Sequence, residues 1–152
     1  MSKVEQANEI VAGFSLDDKI SVVTGAGSGM GRASALTFAA AGAVVYALDI
    51  DESALDSLAE DAKHVRGSII PCAVDATTDE RLRSLARRIE AEYGRLDVLF
   101  NHAGRACAPG TEITNADWLV ASDLNLRVPI MLTSELLPLL RKSKTASYVL
   151  GE

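Results

Sequence analysis

Five short apolar runs alternate along this chain with longer stretches of helical periodicity: KISVVT (19–24), AVVYALD (43–49), SIIPCAV (68–74), LDVLFN (96–101) and ASYVL (146–150). No other feature restricts the fold so strongly. Runs this short, rich in Val, Ile and Tyr, are read as strands, and helical stretches at about 29–41, 52–63, 78–93 and 116–141 are long enough to carry the chain back across a sheet. Strands joined by crossing helices run parallel, and a parallel sheet needs cover on both faces. Right-handed crossovers then predict a doubly wound α/β domain of three layers. Start signals support the helices: Thr77 with Glu80 reads as a capping box, and Asp51 and Asn115 stand where an N-cap is wanted.

The first run opens into TGAGSGMGRASALTFAAAGA, with four glycines at the mouth of a helix. A helix N-terminus offers unpaired N–H groups and about half a positive charge, and glycine lets an anion approach the backbone, so a pyrophosphate is expected here. The G-x-G-x-x-G spacing fails, because its third glycine falls on Met30 counted from Gly25 and on Arg32 counted from Gly27. T-G-x-x-x-G-x-G fits, with Thr24, Gly25, Gly29 and Gly31. The second run ends in Asp49, where a carboxylate can accept hydrogen bonds from an adenosine ribose. Against a 2′-phosphate about 4 Å away, at an effective dielectric near 20, it would repel by roughly 4 kcal/mol, on the order of a thousandfold in affinity. NAD(H) is therefore expected over NADP(H). The other reading of Asp49, with Asp51 and Glu52 close behind, is that it only leads into the next helix.

Composition excludes several classes. A net charge of −6 argues against nucleic acid, and RLRSLARRIE, the only basic cluster, places its arginines on the outer face of a helix beside acidic EAEYG. Cys72 and Cys107 are too few for a disulfide framework and lack zinc-ligand spacing, which points to a reducing, cytoplasmic setting with no metal. No run approaches the roughly 20 apolar residues of a membrane span. The polar lead, residues 1–14, lacks the order of a signal peptide and reads as an extension ahead of a domain at 15–152.

Taken in order, KISVVTGAGSGMGRASA, Asp49, CAVDAT, LDVLFNHAG and SDLNLRVPIMLTSELLP resemble the short-chain dehydrogenase/reductase family, of the compact type with a Rossmann-like fold. The resemblance covers about residues 15–150. It implies a dinucleotide site built from Thr24, Gly25, Ser28, Gly29, Met30 and Gly31, then Asp49 and Ile50. Asp75, with Ala76, would meet the adenine ring, and Asn101, Ala103 and Gly104 the middle of the cofactor. His102 replaces the family's second asparagine, and the expectation is that its main-chain contacts survive without an acid or base role. Asn125 matches the asparagine that holds a water of the proton relay at a helix kink; from the residues alone it could equally cap or kink its helix.

Proton transfer in the family uses a serine and Tyr-x-x-x-Lys, the lysine stabilising a phenolate whose free pKa is near 10. Here the fourth residue after Tyr46 is Ile50, after Tyr93 it is Asp97 and after Tyr148 it is Glu152. Tyr148 lies in a strand-like run and is expected to be a packed strand residue. On the resemblance, the sequence is a shortened member, cut after the fifth strand, whose full form would exchange hydride with an alcohol or ketone. The alternative is a non-catalytic dinucleotide-binding or oligomer-modulating module; a methyltransferase is disfavoured by the Thr-led glycine spacing and NHAG. The family pairs subunits through the helix at about 124–141, and LNLRVPIMLTSELLPLL is apolar on more than one face, so self-association or aggregation is expected, helped by an open edge at the last strand.

Overall fold

The computed structural model describes residues 13–106, 110 and 112–150, which leaves Cys107, Glu152 and most of the 1–14 extension outside the described residues. Five strands, β1 (Ile20–Thr24), β2 (Val44–Asp49), β3 (Ser68–Ala73), β4 (Val98–Asn101) and β5 (Ser147–Leu150), form one sheet in the order β3-β2-β1-β4-β5. Every neighbouring pair is parallel. The helices are α1 (Gly29–Ala40), α2 (Glu52–Asp61), α3 (Asp79–Tyr93), α4 (Asn115–Ser122) and α5 (Val128–Leu140). This is the doubly wound, Rossmann-like α/β architecture expected from the alternation.

The period of two along each strand sorts side chains into two cores. Ile20, Val22, Tyr46 and Leu48 face α3 and α5, where Leu82, Leu85, Ile89, Leu132, Leu136 and Leu139 are buried. Val23, Val45 and Ala47 face the other way, packing with Ala35 and Ala39 of α1 and with Leu55 and Leu58 of α2. Leu82, Leu85 and Ile89 recur at helical spacing, and burying each contributes about 1.5–3 kcal/mol. The arginines of α3 stay outside, and three of the four pair with acids, Arg87 with Glu80, Arg88 with Glu92 and Arg83 with Glu135.

One expected cap forms, and several other local expectations need correction. Asp51 caps α2, accepting from the Ala54 N–H at 3.0 Å. The Thr77–Glu80 box does not form: the N-cap of α3 is Thr78, without a side-chain cap, because the Thr77 hydroxyl donates instead to Asp75. At α4 the cap is Thr114 rather than Asn115, in a full capping box with Asp117. The helical stretch at 116–141 is broken at Asp123–Arg127 by a π-turn, at the kink expected around Asn125, in which the Val128 N–H reaches back to the Asp123 carbonyl. Pro129 has no N–H to give the Asn125 carbonyl, its partner in α register, so the wider turn falls where the α ladder is already broken. Pro71 is tolerated because β3 is an edge strand. Tyr148 does lie in a strand, as expected, but it is 46% exposed and only partly packed.

At the N-terminal edge of the sheet Asp97 joins three elements. Its side chain, 3% exposed, accepts from the Ile20 N–H at 2.9 Å, Arg95 Nε at 3.1 Å and the Ser143 hydroxyl at 2.5 Å. Burial, the largest influence, pushes this carboxyl up, but the three donors outweigh it together and hold it below the usual carboxylate range.

Candidate functional site

The strand order reverses between β1 and β4, and at such a switch point the loops leaving the carboxyl ends diverge and open a crevice. A cavity of about 550 Å³ lies there. β1 and the following turn supply Thr24 and Gly25, the start of α1 supplies Ser28, Gly29 and Met30, and the end of β2 supplies Leu48, Asp49 and Ile50. Val74, Asp75 and Ala76 come from the turn after β3, His102, Ala103 and Gly104 from the turn after β4, and Leu124 from the π-turn.

Thr24 fastens the two sides of the switch point together. Its hydroxyl oxygen accepts from the His102 N–H at 2.9 Å and the Ala103 N–H at 2.8 Å, so the first loop and the N-x-A-G turn are held in fixed relation. The His102 main chain is thus fixed to β1, and its ring lies 5.4 Å from the Phe100 ring centre at the cavity wall.

Glycine is demanded here by contact as much as by flexibility. A Cβ on Gly31 would lie 2.1 Å from the Gly25 carbonyl oxygen and 2.8 Å from His102 Cδ2, so any larger residue forces α1 away from the turn. Gly29, at φ +53, has nothing within 4 Å of where a Cβ would point and faces open space. Ser28, the N-cap, gives no side-chain hydrogen bond to the first turn of α1, and that turn contains no acidic residue. The helix thus presents its first N–H groups and positive dipole end to the cavity without an internal acceptor, a cradle suited to an anion.

Across the cavity stand two carboxylates. Asp49 Oδ2 accepts from the Gly27 N–H at 2.9 Å, and Oδ1 from the Asp51 N–H at 3.1 Å, which locks its orientation at the end of β2. Asp75 Oδ1 accepts from the Thr77 hydroxyl at 2.6 Å and the Thr77 N–H at 2.9 Å. Those two bonds hold the Asp75 carboxyl below the usual range, the hydroxyl most, against a small upward push from burial.

Of the residues singled out from sequence, Gly31, Asn101 and Asn125 do not line the cavity. Gly31 acts from behind as a spacer. Asn101 is buried and turned toward α5, its Nδ2 3.4 Å from the Thr133 hydroxyl and its Oδ1 without a partner among the described residues. Asn125 clasps the chain after the N-x-A-G turn, its Oδ1 accepting from the Arg105 N–H and its Nδ2 donating to the Arg105 carbonyl, both at 2.8 Å. Sequence spacing passed over Gly27, whose Cβ would fall 2.8 Å from Asp49 Cγ, and Leu48, Val74 and Leu124, ordinary apolar residues that become wall only once the loops converge. The described residues contain no group of three or more His, Cys, Asp or Glu placed to hold a metal, and no helix long and apolar enough to cross a membrane.

Comparison with known proteins agrees with this geometry. Residues 19–150 match the family profile described as short chain dehydrogenase. The 3-oxoacyl-[acyl-carrier-protein] reductase FabG of Thermotoga maritima is 33% identical over 135 residues, 88% of this chain and 55% of its own. The 7alpha-hydroxysteroid dehydrogenase of Escherichia coli K12 is 34% identical over 111 residues, 73% of this chain and 44% of its own. Among solved structures, a 7alpha-hydroxysteroid dehydrogenase complexed with NADH and 7-oxo glycochenodeoxycholic acid superposes with a TM-score of 0.82 at 30% identity, covering 90% of this chain and 54% of the other. A short-chain dehydrogenase of Shigella flexneri complexed with NADP superposes with a TM-score of 0.79 at 34% identity, covering 88% of this chain and 58% of the other. The chain spans about half the length of the curated relatives it matches. With the fold, the switch-point crevice and the sequence match all in agreement, the chain belongs to the short-chain dehydrogenase family.

Proposed function

We propose that this chain is the dinucleotide-binding part of an oxidoreductase that exchanges hydride between NAD(H) and an alcohol or ketone. The observation that carries the reading is the uncapped start of α1, opening into the cavity at Ser28, Gly29 and Met30 with Gly31 behind it. A diphosphate fits that cradle, Asp49 and Ile50 lie where the adenosine ribose would reach, Asp75 and Ala76 where adenine would, and Ala103 and Gly104 border the middle. Asn101 and Asn125 support this set from outside the cavity, Asn125 by fixing Arg105 and through the carbonyl that Pro129 leaves without its α-helical donor. When bound, the nicotinamide supplies or accepts the hydride.

The preference for NAD(H) rests on Asp49. Relatives of this fold are solved with NADH and with NADP, so the family alone does not choose. Held by Gly27 and Asp51, the Asp49 carboxylate cannot swing aside freely, and a 2′-phosphate beside it would meet like charge. None of Tyr46, Tyr93 and Tyr148 has a lysine four residues on, so these 152 residues bind the dinucleotide without turning it over. Trp118, Leu119, Leu126 and Ile130 expose an apolar face along α4 and α5, which supports self-association.

Fluorescence titration with NADH tests the reading. Saturable binding is expected, abolished by Gly29→Trp, whose indole would fill the open space; Asp49→Ala is expected to narrow the gap between NADH and NADPH. Absence of saturable binding refutes the dinucleotide site, and tighter NADPH than NADH binding by the unaltered chain refutes the role of Asp49.

A further inference from the structure

Arg127 is the last residue of the π-turn, yet its guanidinium reaches a different part of the fold. Nη2 donates to the Thr77 carbonyl at 2.7 Å and Nη1 to Asp79 Oδ1 at 2.8 Å, while Nε pairs with Asp123 one turn back. Thr77 is also the residue whose N–H and hydroxyl grip Asp75 on the cavity wall. One residue is therefore held at its carbonyl from behind and holds the cavity carboxylate in front. Thr78 gives α3 no side-chain cap; its N–H closes the turn on the Asp75 carbonyl at 3.1 Å, and Arg127 adds a side-chain anchor at the Thr77 carbonyl.

We propose that Arg127 is a positioning residue for the adenine end of the site, fixing the Asp75 carboxylate through Thr77. The inference rests on the reading of Asp75 given above. A guanidinium forks to several acceptors in one plane and so fixes both the Thr77 peptide and the first residue of α3; a lysine at 127, a single point charge on a flexible stem, cannot hold all three acceptors at once. Without the fork the Thr77 carbonyl loses its guanidinium donor, and the turn is left to the weaker hold of the Thr78 N–H on the Asp75 carbonyl. Asp75 then loses both donors for part of the time, and a ligand must order the turn as it binds.

The test follows the Asp75 carboxyl by NMR titration in the unaltered chain, Arg127→Met and Arg127→Lys, alongside NADH binding and thermal melts. In Arg127→Met, Asp75 is expected to titrate at higher pH than in the unaltered chain, and NADH affinity to fall roughly three- to tenfold. Arg127→Lys keeps the charge without the fork and is expected to recover less than half of either change. Asp75→Asn alone should weaken NADH, and adding Arg127→Met to it should weaken NADH little further, since both act on one contact. Should Arg127→Met fail to fold, Arg127→Lys carries the same readings. The inference is overturned by an unmoved Asp75 titration in a folded variant, by full restoration with lysine, or by an undiminished effect of Arg127→Met in the Asp75→Asn background. If the unaltered chain binds no NADH, the proposed function fails and the adenine role with it, while the Asp75 titration still decides whether Arg127 acts through Thr77.

Discussion

Asp97→Ala tests what holds the sheet together. The substitution leaves the Ile20 N–H buried without an acceptor, which costs about 1–3 kcal/mol, and frees the Ser143 hydroxyl, worth about 1 kcal/mol more. The Arg95 pair is discounted, because Arg95 is 40% exposed and can return to water; it adds at most about 1 kcal/mol. The sum, roughly 2–5 kcal/mol, is a large share of the 5–15 kcal/mol of an ordinary domain. Asp97→Asn keeps one acceptor and should cost about half as much. The sign with pH follows from the carboxyl being held below its ordinary value: this stabilisation is present above the unfolded pKa, near 4, and is lost as pH falls through the folded value. Urea unfolding at pH 7 and again at pH 3 measures both effects, with the gap between the unaltered chain and Asp97→Asn expected to shrink in acid. Equal stability of the two at pH 7, or a gap that does not change with pH, would refute the reasoning.

Two further substitutions probe the opposite edge of the sheet. Thr24→Val keeps shape but removes the acceptor shared by the His102 and Ala103 N–H groups; a loss of about 2 kcal/mol in unfolding free energy is expected, together with weaker NADH binding, and an unchanged melting temperature would contradict it. Gly31→Ala places a methyl 2.1 Å from the Gly25 carbonyl, so overpacking of about 1–3 kcal/mol and loss of NADH binding are expected, and a variant that binds normally by fluorescence titration would show that the spacing is not tight.

The fold was legible because its signals are local and redundant. β-branched runs, Asp51 and the spacing of Leu82, Leu85 and Ile89 each act within a few residues, and each points to the same sheet. Legibility failed where one side chain had two local offers. Thr77 could cap α3 or serve Asp75, and only the turn after β3 decides between them. A kink at Asn125 was legible from the resemblance, but its form as a π-turn was not, although Pro129, placed four residues after Asn125, marks where the α ladder must break. Asp49 was placed correctly at its strand end, but nothing in the spacing said that Gly27 would hold it, since that contact needs β1 and β2 side by side. The same holds for Asp97, which in sequence is one residue in an apolar run.

These particulars divide the sheet into two ends with different physics. At the N-terminal edge a buried carboxylate has three donors and closes β1, β4 and the turn before β5 into one unit. At the C-terminal edge the polar groups are left short of partners: α1 starts without a cap, Gly29 sits at positive φ, and Asn101 Oδ1 is buried with no donor among the described residues. A buried acceptor in that position ordinarily costs about 1–3 kcal/mol, and a domain carries such a debt only if stability is supplied elsewhere. The two apolar cores supply it together with Asp97, which acts from the far end of the sheet. Changes at Asp97 should therefore alter unfolding free energy while leaving the geometry of the glycine turn intact, whereas changes at Thr24 or Gly31 must alter both, because there the same contacts hold the strands and shape the site.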